Sequence, residues 1–391
     1  MNTILADGAN RNSLLPFTYT RPVAAIRIGI LTIKQKWDKW LDTSCSYSTE
    51  AYLNKKYPIK IENKNLVINA SYLPNAELVS NIKALQMGEA IVFNDEAIAY
   101  ITEDPNAKFI AKAYKTTTFK GEVLSVKNPW DIFSKNDNAL LSDFKLLTAG
   151  RKSQPIPASN TTINPENIFL EEGAKVECSI LNASTGPIYI DKNAEIMEGS
   201  MVRGALALCD YAVLKMGAKI YGASTFGPYC KVGGEVSNCV FFGYSNKGHD
   251  GFMGNSVLGE WCNIGADTNT SNLKNNYAPV RLWSYETEGF AKTGLQFCGL
   301  MMGDHSKCGI DTMFNTGTVI GVSANIFGSG FPRNFVPSYS WGGASGFTTY
   351  KTNKAFETAT AMMGRRKVEF NSIEQEILEV VFDQSAKWRN Y

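Results

Sequence analysis

Through the middle of the chain an apolar residue recurs at every sixth position. Ile190, Ile196, Val202, Leu208, Leu214, Ile220, Phe226 and Val232 keep one register. A small residue stands four places after most of them: Ala194, Ser200, Ala212, Ala218, Ser224 and Cys230. The pattern returns at Phe252, Leu258 and Ile264, and again at Met302, Cys308, Phe314, Ile320 and Ile326. A helix requires an apolar period near 3.6 and an ordinary strand a period of 2. A period of six belongs to the short flat sides of a parallel β-helix, with the apolar residue inside the prism and the small one at its corner. Coils are predicted from about Ile168 to Phe331. They are interrupted between Thr268 and Leu300 by a loop of a length that is uncommon unless it has a function.

The first part of the chain reads differently. A short β-like start, Met1–Asp7, precedes a Gly/Asn/Arg loop. Residues 26–41 read as a buried segment running into a helix. Residues 66–73 and 89–101 are apolar runs of strand length, and 76–85 between them has helical spacing. Alternating strand and helix predicts an α/β layer with a mostly parallel sheet. The Pro/Ser/Asn-rich stretch near 154–167 marks the boundary. The expected domains are 1–157 (α/β), 158–337 (β-helix) and 338–391 (a helical extension). The last helix is expected to open with a capping box, Ser372 and Gln375, and to seal the prism end or pack on a neighbour.

Composition narrows the function. Thirty-nine Lys and Arg against 37 Asp and Glu leave a net charge of +2, with no basic stripe for nucleic acid or an acidic membrane. The eight cysteines are scattered without a C-x-x-C pair, and Cys230, Cys262 and Cys308 occupy repeat positions. They read as reduced core thiols of a cytoplasmic protein. No signal peptide and no membrane-length apolar run is evident.

Only two histidines occur, His249 and His305, both in the repeat region. The stretch Ser245–Gly254, then Gly259–Thr268 and on to Asn272, resembles the acetyltransferase half of the bacterial bifunctional N-acetylglucosamine-1-phosphate uridyltransferase/glucosamine-1-phosphate acetyltransferase family. That family carries K-x-G-H-x-x-Y-x-G, then N-I-G-A-G-T, then an asparagine opening a loop. His249, Asn263, Ala266 and Asn272 match these positions, while Phe252, Leu273 and Ser237 depart from the family's two tyrosines and its lysine. The resemblance implies a left-handed β-helix, with His249 as the general base toward an amino-sugar 1-phosphate and acetyl-CoA as cosubstrate. It also implies Asn263 and Asn272 as catalytic-site residues, and a cofactor groove along Ala266, Gly309 and Gly328. A histidine suits proton transfer near neutral pH. Lys247, Lys274 and Arg281 are the candidate replacement cations. His305 has no matching context and reads as structural.

At the N-terminus, Leu5–Arg11 and Leu15–Pro22 resemble a degenerate sugar-nucleotidyltransferase loop, L-x-x-G-x-G-T-R-M-x-x-x-x-P-K, with Val23 in place of its lysine. Such loops bring backbone N–H groups and a basic residue to a triphosphate. The resemblance, which extends over most of the chain to the Bacteroidetes-type form of the enzyme, implies Arg11, Arg21 and Arg27 as phosphate contacts. Mg²⁺ is expected at a strand end, where Asn69 stands in place of an acid and Asp7 and Asp95 are the candidate substitutes. The implied function is sugar-nucleotide biosynthesis: N-acetylation of an amino-sugar 1-phosphate, and nucleotidyl transfer from UTP or dTTP to a sugar 1-phosphate. The alternatives are a nucleotidyltransferase whose β-helix is only an oligomerisation scaffold, and a non-catalytic sugar-nucleotide-binding subunit. A homotrimer is expected, with Tyr277, Trp283 and Tyr285 of the long loop crossing to a neighbour.

Overall fold

The computed structural model describes residues 1–107 and 109–391. Six strands form the N-terminal sheet: β1 (Asn2–Ala6), β2 (Ser46–Ser48), β3 (Asn65–Asn69), β4 (Glu89–Phe93), β5 (Glu96–Thr102) and β6 (Lys115–Thr118), in the order β2-β1-β3-β5-β4-β6. β1 pairs in parallel with β2 and β3, and β4 with β6, while β5 runs antiparallel to both neighbours. The apolar run at 89–102 is thus a hairpin. Its turn residues, Asn94 (φ 49°) and Asp95 (φ 63°), take the left-handed conformation that a tight two-residue hairpin turn requires. Helices α1 (Ile33–Leu41), α2 (Ala76–Ala84), α3 (Asp131–Ser134) and α4 (Asn136–Thr148) complete the layer. Thr32 and Gln35 form a reciprocal cap on α1, and the Asn75 side chain caps α2.

The rest of the chain is a parallel β-solenoid with three faces. The first face runs from Thr161–Ile163 to Met313–Phe314, and the second from Ile168–Leu170 to Phe335–Val336. The third starts at Lys175–Val176, passes Asn246–Lys247, and continues through bridges at Asn263 to Lys307–Cys308 and Asn325–Ile326. Ser340–Gly343 adds to this face in parallel with Asn325–Ile326, and Gly346–Thr349 turns back on it. The coil pairing therefore passes position 337, where the sequence placed a boundary. The inner apolar column is fully buried from Val176 to Ile326.

Coiling does not stop where the hexads lapse after Val232. Leu214, Val232 and Lys247 are in register on the third face, and Ile220, Val236 and Met253 on the first. The corner from Leu214 to Ile220 takes six positions, that from Val232 to Val236 only four, and that from Lys247 to Met253 six again. That corner is two residues short, and the coil from Val232 to Lys247 takes 15 positions where the one from Leu214 to Val232 takes 18. The inward residue after the lapse is accordingly Met253, fully buried, and not Phe252, which is partly exposed.

The second face is buried on both sides because the N-terminal domain lies on it. Ile30, Leu31 and Leu140 pack on Phe169, Tyr189 and Ala207, and the Phe17 and Phe242 rings meet at 5.2 Å. The inserted loop also returns to its own chain. Its hairpin, Arg281–Ser284 with Gly289–Lys292, buries Leu282 and Tyr285 in the N-terminal core. Tyr285 meets Tyr19 edge-on at 5.6 Å, and Trp283 stacks on Phe335 at 4.2 Å. Trp283 and Tyr285 are therefore already packed within the chain, contrary to the expected crossing, while Tyr277 is exposed. Two helices close the chain, α5 (Thr352–Gly364) and α6 (Ser372–Gln384). The cap of α6 is Asn371, whose side chain accepts from the Glu374 amide, so the expected Ser372/Gln375 box does not form. α6 buries Ile377, Leu378 and Val381, receives a hydrogen bond from the Tyr339 hydroxyl at the Leu378 carbonyl (2.8 Å), and pairs Glu374 with Lys56 of the N-terminal domain (2.6 Å).

Candidate functional site

His249 lies in the corner Gly248-His249-Asp250-Gly251, directly above the short coil, whose corner holds only Gly233 and Gly234. Gly234 packs against the backbone of this corner: a Cβ on it would come within 2.8 Å of the His249 carbonyl oxygen. His249 is exposed and lines a cavity of about 600 Å³ together with Asn246, Asn263, Gly265 and Ala266. Asn263 faces outward on the third face, since its neighbour Ile264 is inside. The Ala266 carbonyl is taken by the Asp311 amide at 2.8 Å, which ties the corner to the next coil.

The remaining wall comes from far along the chain. Met362, Arg365 and Arg366, at the end of α5, close the cavity opposite Lys215 and Lys231. Four cations thus surround a space whose lining contains no carboxylate. Partial burial, with Arg366, Lys215 and Arg365 nearby, lowers the pKa of Lys231. An anionic ligand would relieve that repulsion. Arg366 is held by the Tyr229 carbonyl and the Asn246 amide oxygen, both at 3.4 Å. Beside the cavity the corner positions Gly233, Gly248, Gly265 and Gly309 stack coil on coil. A Cβ on Gly265 would come within 2.2 Å of the Gly309 carbonyl oxygen, whereas one on Gly248 would meet nothing within 4 Å; none of the four carries a side chain, which leaves a trench between Lys215 below and Phe327 above. Gly328, one coil higher and exposed, is not part of the cavity lining.

Other expected residues lie elsewhere. Asn272 lies two residues past the first-face strand Asn269–Thr270 and donates to Asn255 Oδ1 at 2.8 Å; it does not line the His249 cavity. Lys274 donates to the Pro279 carbonyl within the inserted loop, and Arg281 is in its hairpin. Lys247 points into the prism.

The N-terminal arginines are committed internally. Arg11 donates to the Thr18 carbonyl (2.6 Å) and the Tyr52 hydroxyl (2.9 Å), and pairs with Asp7 (3.2 Å). Arg21 is buried between the domains, with Nη2 2.6 Å from Asp304 and 3.0 Å from Glu260. Arg27 donates to the Phe242 carbonyl at 3.1 Å. None of these guanidiniums is free for a phosphate.

Nor do Asp7 and Asn69 fit a Mg²⁺ ion. Asp7 accepts from the Val23 amide at 2.7 Å and from the Thr49 hydroxyl at 2.5 Å, with Arg11 on the same carboxylate, and burial pushes its pKa up to about 6. Asn69 accepts from the Ser71 amide at 3.0 Å and donates to Glu96 at 2.8 Å; Glu96 in turn pairs with Lys127. These donors are satisfied by protein cations and amides. Among the described residues no group of three His, Cys, Asp or Glu could hold a metal.

Fold and cavity together define a two-domain molecule: a nucleotidyltransferase-like α/β domain joined to a hexapeptide-repeat parallel β-solenoid with a histidine-bearing, cation-walled pocket. Residues 3–152 match the model of the sugar nucleotidyl transferase family. The chain is similar to the bifunctional protein GlmU of Synechococcus elongatus, 24% identical over 226 residues, which cover 52% of this chain and 46% of that one. It is also similar to GlmU of Methanocaldococcus jannaschii, 33% identical over 89 residues covering 22% and 21%. An uncharacterized acetyltransferase, YaiX of Escherichia coli, is 25% identical over 143 residues covering 36% and 61%. The chain spans about half the length of the first of these relatives. Among solved structures, the polySia-specific acetyltransferase NeuO aligns over 54% of this chain and 99% of its own, at 11% identity and a TM-score of 0.29. Among the described residues no helix is long and apolar enough to cross a membrane.

Proposed function

We propose that the solenoid transfers an acyl group from acyl-CoA, acetyl-CoA in the first instance, to the amine of an amino-sugar phosphate, and that the N-terminal domain serves nucleotidyl transfer to a sugar 1-phosphate. The protein would then supply a sugar nucleotide in the cytoplasm. One observation carries the acyl-transfer reading: His249, Asn263 and Ala266, from two successive coils, share one cavity with Lys215, Lys231, Arg365 and Arg366. Phosphate groups on both substrates suit such a wall. The residues fit acyl-CoA: Lys231, Arg365 and Arg366 would hold its phosphates, and the bare glycine column would let an extended arm lie against the coils. Bound there, the cosubstrate supplies an acyl carbonyl activated as a thioester. His249, exposed at the cavity edge, takes the proton from the substrate amine as the C–N bond forms; the thioester C–S bond then breaks, and the proton passes to the sulfur so that CoA leaves as the thiol. Asn246 and Asn263 offer amide groups that orient the sugar.

His249→Ala should lower CoA release by about 10²–10⁴-fold with the fold intact. Release equal to wild type, measured with a thiol reagent, rejects the assignment. The closed Asp7–Arg11 and Asn69–Glu96–Lys127 sets favour a second reading, in which the N-terminal domain is a scaffold and only acyl transfer operates. Pyrophosphate release from UTP or dTTP with a sugar 1-phosphate and Mg²⁺ separates the two. We also propose a homotrimer, tested below.

A further inference from the structure

The inner column of the third face is apolar from Val176 through Ile196, Leu214 and Val232, and again from Ile264 to Ile326, with a single charged exception. Lys247, in register with Val232, occupies a place where every neighbour in the column is apolar. It is 1% exposed. Its ammonium donates to two backbone carbonyls, those of His249 at 2.7 Å and Asp250 at 3.0 Å. Burial pulls its pKa down to about 8. A methionine would fill the same volume without burying a charge, and such exchanges are often neutral or stabilising. The lysine therefore costs stability, and both its bonds go to the corner that carries His249. That corner needs a tether. It is flanked by Gly248 and Gly251 and lies over the shortened Val232–Val236 corner; its Asp250 carbonyl also accepts from the Asp267 amide at 3.1 Å, while among the described residues the His249 carbonyl accepts from Lys247 alone.

We infer that Lys247 is a positioning residue, holding the His249–Asp250 carbonyls from inside the prism so that the imidazole is presented to the cavity at a fixed height. The inference rests on the acyl-transfer reading. It assigns no chemistry to Lys247, which never meets a substrate; it acts through the backbone of its neighbour.

Lys247→Met tests it in the full-length protein. The variant should melt at or above the wild-type temperature, keep KM for acetyl-CoA, and lose about 10²-fold in kcat, the scale of an ångström's misplacement of a reacting group. In a His249→Ala background the same substitution should cause no further loss. Backbone amides at 248–251 should exchange hydrogen faster. If Lys247→Met does not fold, Lys247→Gln, which keeps one donor, carries the test and should show an intermediate kcat. Wild-type kcat in a folded Lys247 variant, while His249→Ala is inactive, overturns this inference alone. An equal further loss in the His249→Ala background overturns it too. Full activity of His249→Ala overturns the acyl-transfer reading, and this inference with it.

Discussion

Arg21 and Asp304 are both almost wholly buried, and each is the other's chief partner across the domain junction, with the Thr20 hydroxyl on the same carboxylate at 2.7 Å. Removing the Asp304 charge leaves the buried Arg21 guanidinium with only the more exposed Glu260 opposite it. Asp304→Asn should therefore destabilise by about 3–5 kcal/mol, read as a fall in denaturant midpoint at unchanged slope. Nucleotide affinity should follow only in proportion to folding, which separates this structural role from the phosphate contact that the sequence suggested. Lys247 gives a pH signature. Its folded pKa is near 8 against 10.5 for the free side chain. Between those values the unfolded chain binds more protons than the native one, so wild-type stability should rise with pH from about 8 to 10.5 relative to Lys247→Met. A parallel pair of stability curves would contradict this. His249, Asn263 and Ala266 were legible in the sequence because they lie within one contiguous motif. Lys247 was misread because a lysine suggests solvent, while inside or outside is decided by a shift of a single position along a strand. Arg21 and Arg27 were misread because their carboxylate and carbonyl partners lie far away in sequence.

Helix α5 contributes what no motif revealed. Its Met362 and the following Arg365 and Arg366 become a wall of the His249 cavity only when the C-terminal segment folds back across the third face. The one sequence cue was the basic run Arg365-Arg366-Lys367 in an otherwise balanced chain. Arg365→Ala and Arg366→Ala should each raise KM for acetyl-CoA about tenfold, as expected for a lost hydrogen bond to a charged group. They should leave the melting temperature nearly unchanged. A KM within twofold of wild type for both would remove α5 from the site. The hexads were readable where coils are regular and failed at Val232–Met253, where successive inward residues are four, five, six and six positions apart. The same irregularity lies directly under the corner that carries the histidine. The 89–102 hairpin was hidden because its turn is only Asn94-Asp95, inside one apolar run.

At the scale of the molecule, the three solenoid faces have different fates. The second lies under the N-terminal domain and the third carries α5, while the first keeps Ile180, Met201 and Tyr221 exposed. If three chains associate, the first face is where flat sheet remains for them. Light scattering at micromolar concentration should give a mass near three chains, and Met201→Glu with Ile180→Glu should lower it toward one. A wild-type mass of one or two chains would reject the trimer. The α/β-plus-solenoid division was legible from periodicity, but the way the domains lock was not, since Phe17, Arg27 and Asn136 meet Phe242 and Thr225 only in the folded chain. The glycine trench has one more consequence. Adjacent coils are about 4.8 Å apart, so Gly233, Gly248, Gly265 and Gly309 are graduations on a ruler roughly 14 Å long. A Cβ at Gly309 would meet Phe327 at an ordinary 3.5 Å. A side chain grafted there would be a stop set at a known mark, and the length of molecule the protein accepts could be shortened by whole coils.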